Sequence, residues 1–177
     1  MANKRTSTGK KKKPVVKNAV KPPFAAKMIA FLEAQKLKHD IVPHRKVFTV
    51  YDLSQTLHIK PNAIVKTLLI KADKVYHVVL LPAHRRLDIA AVKKLLQAKQ
   101  IAIAKEQEIF TNLKLKPGGL TSFGSYHKLA TILDKSLLKT EKMLFSAGSF
   151  TASVRMKVKD VVKVEQPTVG AISSAAK

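Results

Sequence analysis

The stretch over residues 62–71, Asn62-Ala63-Ile64-Val65-Lys66-Thr67-Leu68-Leu69-Ile70-Lys71, constrains the fold more than any other part of the chain. Its β-branched and aliphatic residues predict a buried strand. Side chains alternate along a strand, so Ile64, Lys66, Leu68 and Ile70 share one face. A lysine among three large apolar residues is costly unless its ammonium finds a partner or a wet cavity. Two readings follow. Lys66 snorkels near a strand end, or it forms the floor of a pocket that receives an anionic or carbonyl group. The strand alone does not choose between them.

Reading outward from this strand gives the rest of the domain. Ala72-Asp73-Lys74 is a tight turn and 75–81 a second strand, so the two form a hairpin that Pro82 ends. Upstream, Phe24, Met28, Phe31 and Leu32 recur at helical spacing and predict a helix over 24–35. A short strand is expected at 39–44, and a short helix at 50–57 with Thr49 as its N-cap. Downstream, Ala83-His84-Arg85-Arg86 reads as a basic loop, and Asp88 caps a helix running through Leu96. A strand at 101–104, a helix at 105–113 and a glycine-rich loop at 116–124 come next. Strands at 130–133, 142–145 and 151–156 and a helix at 158–164 complete the pattern. Helices and strands mix without regular βαβ alternation. This predicts a mixed α/β (α+β) single domain, a central mixed β-sheet with surrounding helices.

Charge restricts the partners. The chain has 177 residues, with 34 Lys and Arg against 11 Asp and Glu, a net charge of +23. Such an excess usually meets a polyanion, most often nucleic acid, and less often an anionic membrane surface. Residues 1–21 carry eight of the positive charges, no acidic residue and no aromatic one. They read as a disordered basic arm ending at Pro22 and Pro23. Removing those eight charges from +23 leaves +15, so the folded part is basic in its own right. The organisation expected is an arm over 1–23, a domain over 24–172 and a short tail over 173–177. No uncharged run reaches membrane-spanning length, and the N-terminus lacks the apolar core of a secretory signal. Cytoplasm is the default location, although an arm that is basic and free of acids also suits an organelle transit peptide.

Most catalytic signatures are absent from the sequence. Cysteine is absent, which excludes disulfides, thiolate metal sites and a cysteine nucleophile. There is no phosphate-binding Gly-x-x-x-x-Gly-Lys loop, no dinucleotide glycine pattern and no Gly-x-Ser-x-Gly elbow. The six histidines lack the helical i, i+4 pairing of a zinc site, and the 11 acids argue against paired-carboxylate chemistry. An enzyme of this sequence works without metal, cofactor, thiol or an obvious general base. What remains is Lys66 and two small-residue loops, Pro117-Gly118-Gly119-Leu120-Thr121-Ser122-Phe123-Gly124 and Ser146-Ala147-Gly148-Ser149. Glycines let backbone N–H groups approach a ligand, though such loops also serve as plain turns. Arg85 and Arg86 suit phosphate contacts on a domain this basic.

The order of these motifs carries a resemblance. Val65-Lys66-Thr67 on a strand, Arg85-Arg86-Leu87-Asp88 before a helix, Pro117-Gly118-Gly119 and Ser146-Ala147-Gly148-Ser149 together resemble the YbaK/EbsC family. These are free-standing relatives of the editing domain inserted in bacterial prolyl-tRNA synthetases. The similarity covers roughly residues 24–172. It implies a metal-independent hydrolase that deacylates mischarged aminoacyl-tRNA, typically Ala- or Cys-tRNA for proline. It also implies tRNA, and prolyl-tRNA synthetase, as partners. By the resemblance Lys66 is the essential strand lysine facing the terminal adenosine and ester. Gly118 opens a Gly-x-x-x-Pro loop that grips the 3′ end with Gly119, Leu120, Thr121 and Ser122. His44 matches a histidine before the first helix of the domain body, Phe48 and Thr49 line the aminoacyl pocket, and Ser153 stands where the residue varies with the amino acid accepted. Gly148 and Ser149 are expected to join the substrate site.

One position departs from the family pattern. The last residue of the loop should be proline, and Ser122 stands there. Proline stiffens by fixing φ, so serine is expected to leave the loop more mobile or to let it close differently. Restoring proline is expected to leave the fold intact. In the family no protein side chain serves as general base, and the substrate's own groups assist. Two further readings compete with the hydrolase. One is a non-catalytic tRNA- or ribosome-binding module that kept the fold, favoured by Ser122 and the charge. The other is a membrane-surface protein, which lacks a basic amphipathic helix.

Overall fold

The computed structural model describes residues 23–116 and 118–175. The basic arm therefore lies outside the described residues, apart from its last residue. The chain runs α1 (Pro23–Ala34), β1 (His39–Pro43), α2 (Val50–Leu57), β2 (Val65–Ala72), β3 (Val75–Pro82), β4 (Arg85–Leu87) and α3 (Ile89–Leu96). It continues with β5 (Ile101–Ile103), α4 (Glu106–Leu113), β6 (Ala130–Asp134), β7 (Lys142–Ser146), β8 (Ala152–Lys157), α5 (Val158–Glu165), β9 (Thr168–Gly170) and β10 (Ser173–Ala175).

A five-stranded sheet, order β5-β2-β3-β6-β9, forms the centre. It is mixed: β2 pairs antiparallel with β3 and β5, while β6 pairs parallel with β3 and β9. A three-stranded antiparallel sheet, order β1-β8-β7, stands against it, and β4 pairs with β10 as a separate ribbon. This is the mixed α/β domain expected.

Both faces of the central strands are apolar because both are covered. On one face Leu69, Val78, Leu80 and Leu133 join Met143, Phe145, Val154 and Met156 of the smaller sheet, with Phe123 and Met28 in the same core. On the other, Ile70, Val79, Leu81 and Ile132 pack with Val92 of α3 and with Ile172. Neighbours in the chain thus serve opposite cores, as strand alternation requires. Lys66 has the parity of Leu68 and Ile70. Ile64 stands just before β2, where it bridges to Leu144 of β7.

The ends of the helices follow from local chemistry. The Thr49 hydroxyl accepts the Asp52 N–H, and the Asp52 carboxylate accepts the Thr49 N–H in return, fixing the start of α2. The Asp88 carboxylate accepts the Ala91 N–H at the start of α3.

Three strands differ from expectation. The segment expected as a basic loop at 83–86 includes the start of β4, and the segment expected as a tail contains β10, with Ser174 opposite Arg86. β9 is the third. Each is three residues long with little apolar alternation, so its pairing comes from tertiary position rather than from local pattern.

Candidate functional site

β2 begins where the two larger sheets meet. Ile64 bridges to Leu144, and Thr121 bridges to Ala147 across the glycine-rich loop. A cavity of about 250 Å³ opens at this junction.

Lys66 is half-buried in the cavity wall. Its Nζ donates to the carbonyl of Arg85 at 2.8 Å. An ammonium has three N–H groups, and this bond uses one. Burial, and then the positive charge of Arg86, holds the Lys66 ammonium below the ordinary lysine range. No Asp or Glu lines the cavity. Among the described residues the one salt bridge is Lys157–Glu141, elsewhere on the molecule. Lys66 is therefore a partly desolvated cation with spare donors, facing open space.

Gly118 lines the cavity with φ +74°. The backbone angle favours glycine, and a Cβ there would stand 2.5 Å from the far end of the Phe150 ring and push that ring aside. Across the cavity His44 and Ser153 form a pair. The carbonyl of Arg45, 2.9 Å from His44 Nδ1, can only accept, so Nδ1 carries the proton. In the neutral ring Nε2 then accepts from the Ser153 hydroxyl at 3.0 Å. Phe48, Thr49, Leu120 and Ser149 also border the space.

Three comparisons with known proteins bear on what this cavity is. The family model of the aminoacyl-tRNA editing domain matches residues 44–164, well over half of the 177-residue chain. The chain belongs to the aminoacyl-tRNA editing domain family. A proline–tRNA ligase of Bacillus velezensis is 28% identical over 91 residues, covering 51% of this chain and 16% of the ligase. The chain thus spans a small part of that relative. Among solved structures, a candidate trans-editing enzyme for prolyl-tRNA synthetase is similar at TM-score 0.74 and 22% identity, over 87% of this chain and 99% of that one. A hypothetical protein is similar at TM-score 0.76 and 21% identity, over 84% and 99%. At these identities the two structures speak for the fold.

Within this editing domain several residues expected at the site stand apart from the cavity lining. Ser122 is fully buried. Its N–H donates to the Ser146 carbonyl at 3.1 Å, and its hydroxyl accepts the Ser146 N–H at 2.9 Å and pairs with the Thr67 hydroxyl at 2.6 Å. The loop closes by a hydroxyl stitch between β2 and β7, so Ser122 is a structural tie rather than a substrate contact. Thr121 is buried too, its N–H donating to His127 Nε2 at 3.1 Å. Gly119 donates its N–H to the Lys116 carbonyl within its own turn. Gly148, at φ +68°, turns the chain and donates to the Ser146 hydroxyl at 3.2 Å.

Arg85 and Arg86 separate because they alternate along β4. The Arg85 guanidinium donates to the hydroxyl and carbonyl of Ser173 at 2.7 and 2.8 Å, so it fastens β10 and is not a free phosphate contact. Arg86 is exposed, and it is the one of the pair whose charge reaches Lys66. Sequence reasoning did not single out Phe150, Thr67 or Ser146, which also line the editing domain's cavity. Thr67 and Ser146 each had a signal, the one beside Lys66 and the other at the head of the Ser146-Ala147-Gly148-Ser149 loop, whereas Phe150 had none. Among the described residues no group of three His, Cys, Asp or Glu is placed to hold a metal ion, and no helix is long and apolar enough to cross a membrane.

Proposed function

We propose that this chain is a trans-editing hydrolase that deacylates mischarged aminoacyl-tRNA, of the Ala- or Cys-tRNA for proline type, by cleaving the ester at the 3′ end. The observation that carries the reading is Lys66, a half-buried ammonium with one acceptor and no carboxylate around the cavity it faces. Such a group suits an ester carbonyl, whose oxygen gains negative charge as water adds. The remaining N–H groups of Lys66 receive that oxygen, and the bond to the ribose oxygen then breaks to release amino acid and tRNA. The volume of about 250 Å³ lies just below the range of typical small-molecule pockets, roughly 300–1,000 Å³. It suits an aminoacyl ester end rather than a whole nucleoside. With His44 committed to Ser153 and no acid present, proton removal falls to the substrate's own groups, such as the free ribose hydroxyl or a cysteine thiol.

Partners are then the tRNA, gripped through its phosphates by the basic surface, and prolyl-tRNA synthetase, whose errors the protein would correct. The rival reading, a non-catalytic tRNA- or ribosome-binding module, leans on Ser122 in place of proline. The stitch gives Ser122 a structural purpose, so the residue no longer favours loss of chemistry. The deciding experiment is a deacylation assay over a panel of mischarged tRNAs. Hydrolysis of Ala- or Cys-tRNA for proline, with the matched Pro-tRNA spared, is expected. Binding without hydrolysis of any member would establish the rival.

A further inference from the structure

Two large aromatic side chains at the cavity stand in water, Phe48 in its lining and Tyr51 beside it. Phe48 is 67% exposed and Tyr51 70% exposed. Thr49, Val50 and Leu53 all line the cavity, so Tyr51, in the first turn of α2, lies between wall residues without being one itself. Two cations accompany the rings. Lys46 Nζ lies 5.1 Å from the centroid of the Phe48 ring, and Arg45 is braced along α2 by donating from Nε to the Thr56 hydroxyl at 2.8 Å. Phe150 backs Phe48 at 4.9 Å between ring centroids. The capping pair of Thr49 and Asp52 fixes the backbone between the two rings.

Exposed aromatic surface beside a functional cavity marks a contact surface. Its width indicates the partner. Within residues 44–57 the exposed large apolar side chains are these two rings; the others among the described residues, such as Ile89, Ile103 and Phe110, are carried by other elements. A protein interface needs a broader apolar centre. Aromatic faces interleaved with cations are the chemistry of single-stranded nucleic acid, in which rings stack on bases and cations neutralise phosphates.

We propose that Tyr51 and Phe48 form a stacking platform for the unpaired bases of an RNA 3′ end, with Arg45 and Lys46 against its phosphates. This rests on the deacylase reading for which end is presented, and it places the bases that precede the aminoacylated nucleotide. An incoming base displaces the Lys46 ammonium from the Phe48 face, freeing that charge for the backbone.

Tyr51 is the residue to change, because it is exposed, off the cavity wall and on a capped helix. The probes are an uncharged RNA stem-loop with a short unpaired 3′ overhang, carrying 2-aminopurine in the overhang, and the same stem-loop made blunt. Tyr51→Ala is expected to weaken overhang binding about 5- to 100-fold, the range for loss of one base stack. It should also restore 2-aminopurine fluorescence, leave blunt RNA binding unchanged, and be rescued by Tyr51→Phe. Equal losses on both RNAs, or no loss on either, would overturn the platform. The RNA carries no amino acid, so the result does not depend on hydrolysis. Normal overhang binding by a Tyr51→Ala variant that still deacylates removes the platform and leaves the deacylase. An overhang-specific loss in a protein that hydrolyses none of the panel supports the platform without the deacylase.

Discussion

Lys66 separates two polar regions built to opposite ends. Behind it the C-terminal segment is held by a saturated clasp. The buried Asp134 carboxylate accepts the Ser136 N–H at 2.9 Å, the Ser136 hydroxyl and the Ile172 N–H at 3.0 Å. The Ile172 carbonyl accepts the Asp88 N–H at 2.8 Å, and the next residue, Ser173, takes the Arg85 guanidinium. Burial pushes the Asp134 carboxyl up, but hydrogen bonds from Ser136, Ser173 and the Ile172 backbone outweigh it and hold the group below the ordinary carboxylate range. In front, the cavity offers Lys66 no carboxylate at all. The same residue, Arg85, serves both sides, its side chain closing the clasp and its backbone carbonyl holding Lys66. A charge supplied with every partner stabilises the fold. A charge left short of partners costs stability and is available to a ligand.

The largest test of that contrast is Ser122→Pro. Proline removes the N–H that reaches Ser146 and the hydroxyl shared with Thr67, stranding several buried groups at about 1–3 kcal/mol each. A stability loss of about 3–5 kcal/mol in urea unfolding is expected, the opposite of the tolerant outcome that the family pattern alone suggests. An unchanged midpoint would show that the loop does not close through this stitch.

Next in size is Asp134→Ala, which strands the donors of Ser136 and Ile172. It should cost about 2–4 kcal/mol of unfolding free energy and free β10 to exchange its amide protons. Global stability near that of the parent would mean that the carboxylate does not hold the clasp together.

Lys66→Met probes the open side. Removing a partly desolvated cation without a carboxylate partner should leave thermal stability unchanged or raise it. Deacylation should nevertheless collapse, since a charge-assisted contact to the ester is worth roughly 1.5–3 kcal/mol before any added role in the transition state. Bulk tRNA affinity, which rests on dispersed phosphate contacts, should barely change. If stability falls steeply and activity falls only in proportion, Lys66 belongs with the clasp.

What the sequence made legible follows the same division. The β2–β3 hairpin, the Thr49 and Asp88 caps and the mixed sheet were readable because apolar periodicity and capping chemistry are local signals. Lys66 stood out because it breaks such a pattern. The clasp was not readable. Arg85 looked like a surface phosphate contact, and its partner Ser173 lies 88 positions further on in a segment with no strand pattern. Ser122 was read against a family proline as a loss of stiffness. Its hydroxyl bonds join residues 55 and 24 positions away, which no local rule anticipates. The pairing of His44 with Ser153 was hidden in the same way, although each residue was picked out singly.

The smallest effect asks whether the saturated side extends into the glycine-rich loop. His127 Nε2 accepts the Thr121 N–H, so the ring is neutral there, and burial holds its pKa down to about 4. An unfolded histidine takes up its proton near pH 6.5. Between these values the unfolded chain binds the extra proton and the folded one does not, so stability falls as pH drops from 6.5 to 4 and this contribution is constant below that. Partial exposure of the ring screens the full shift, leaving about 1–2 kcal/mol over the window. In His127→Gln the amide oxygen accepts the same N–H without titrating, so its urea midpoint should decline less over that range than that of the parent. Parallel declines in the two proteins would show that protonating His127 costs the fold nothing, and that the loop is held by the Ser122 stitch alone.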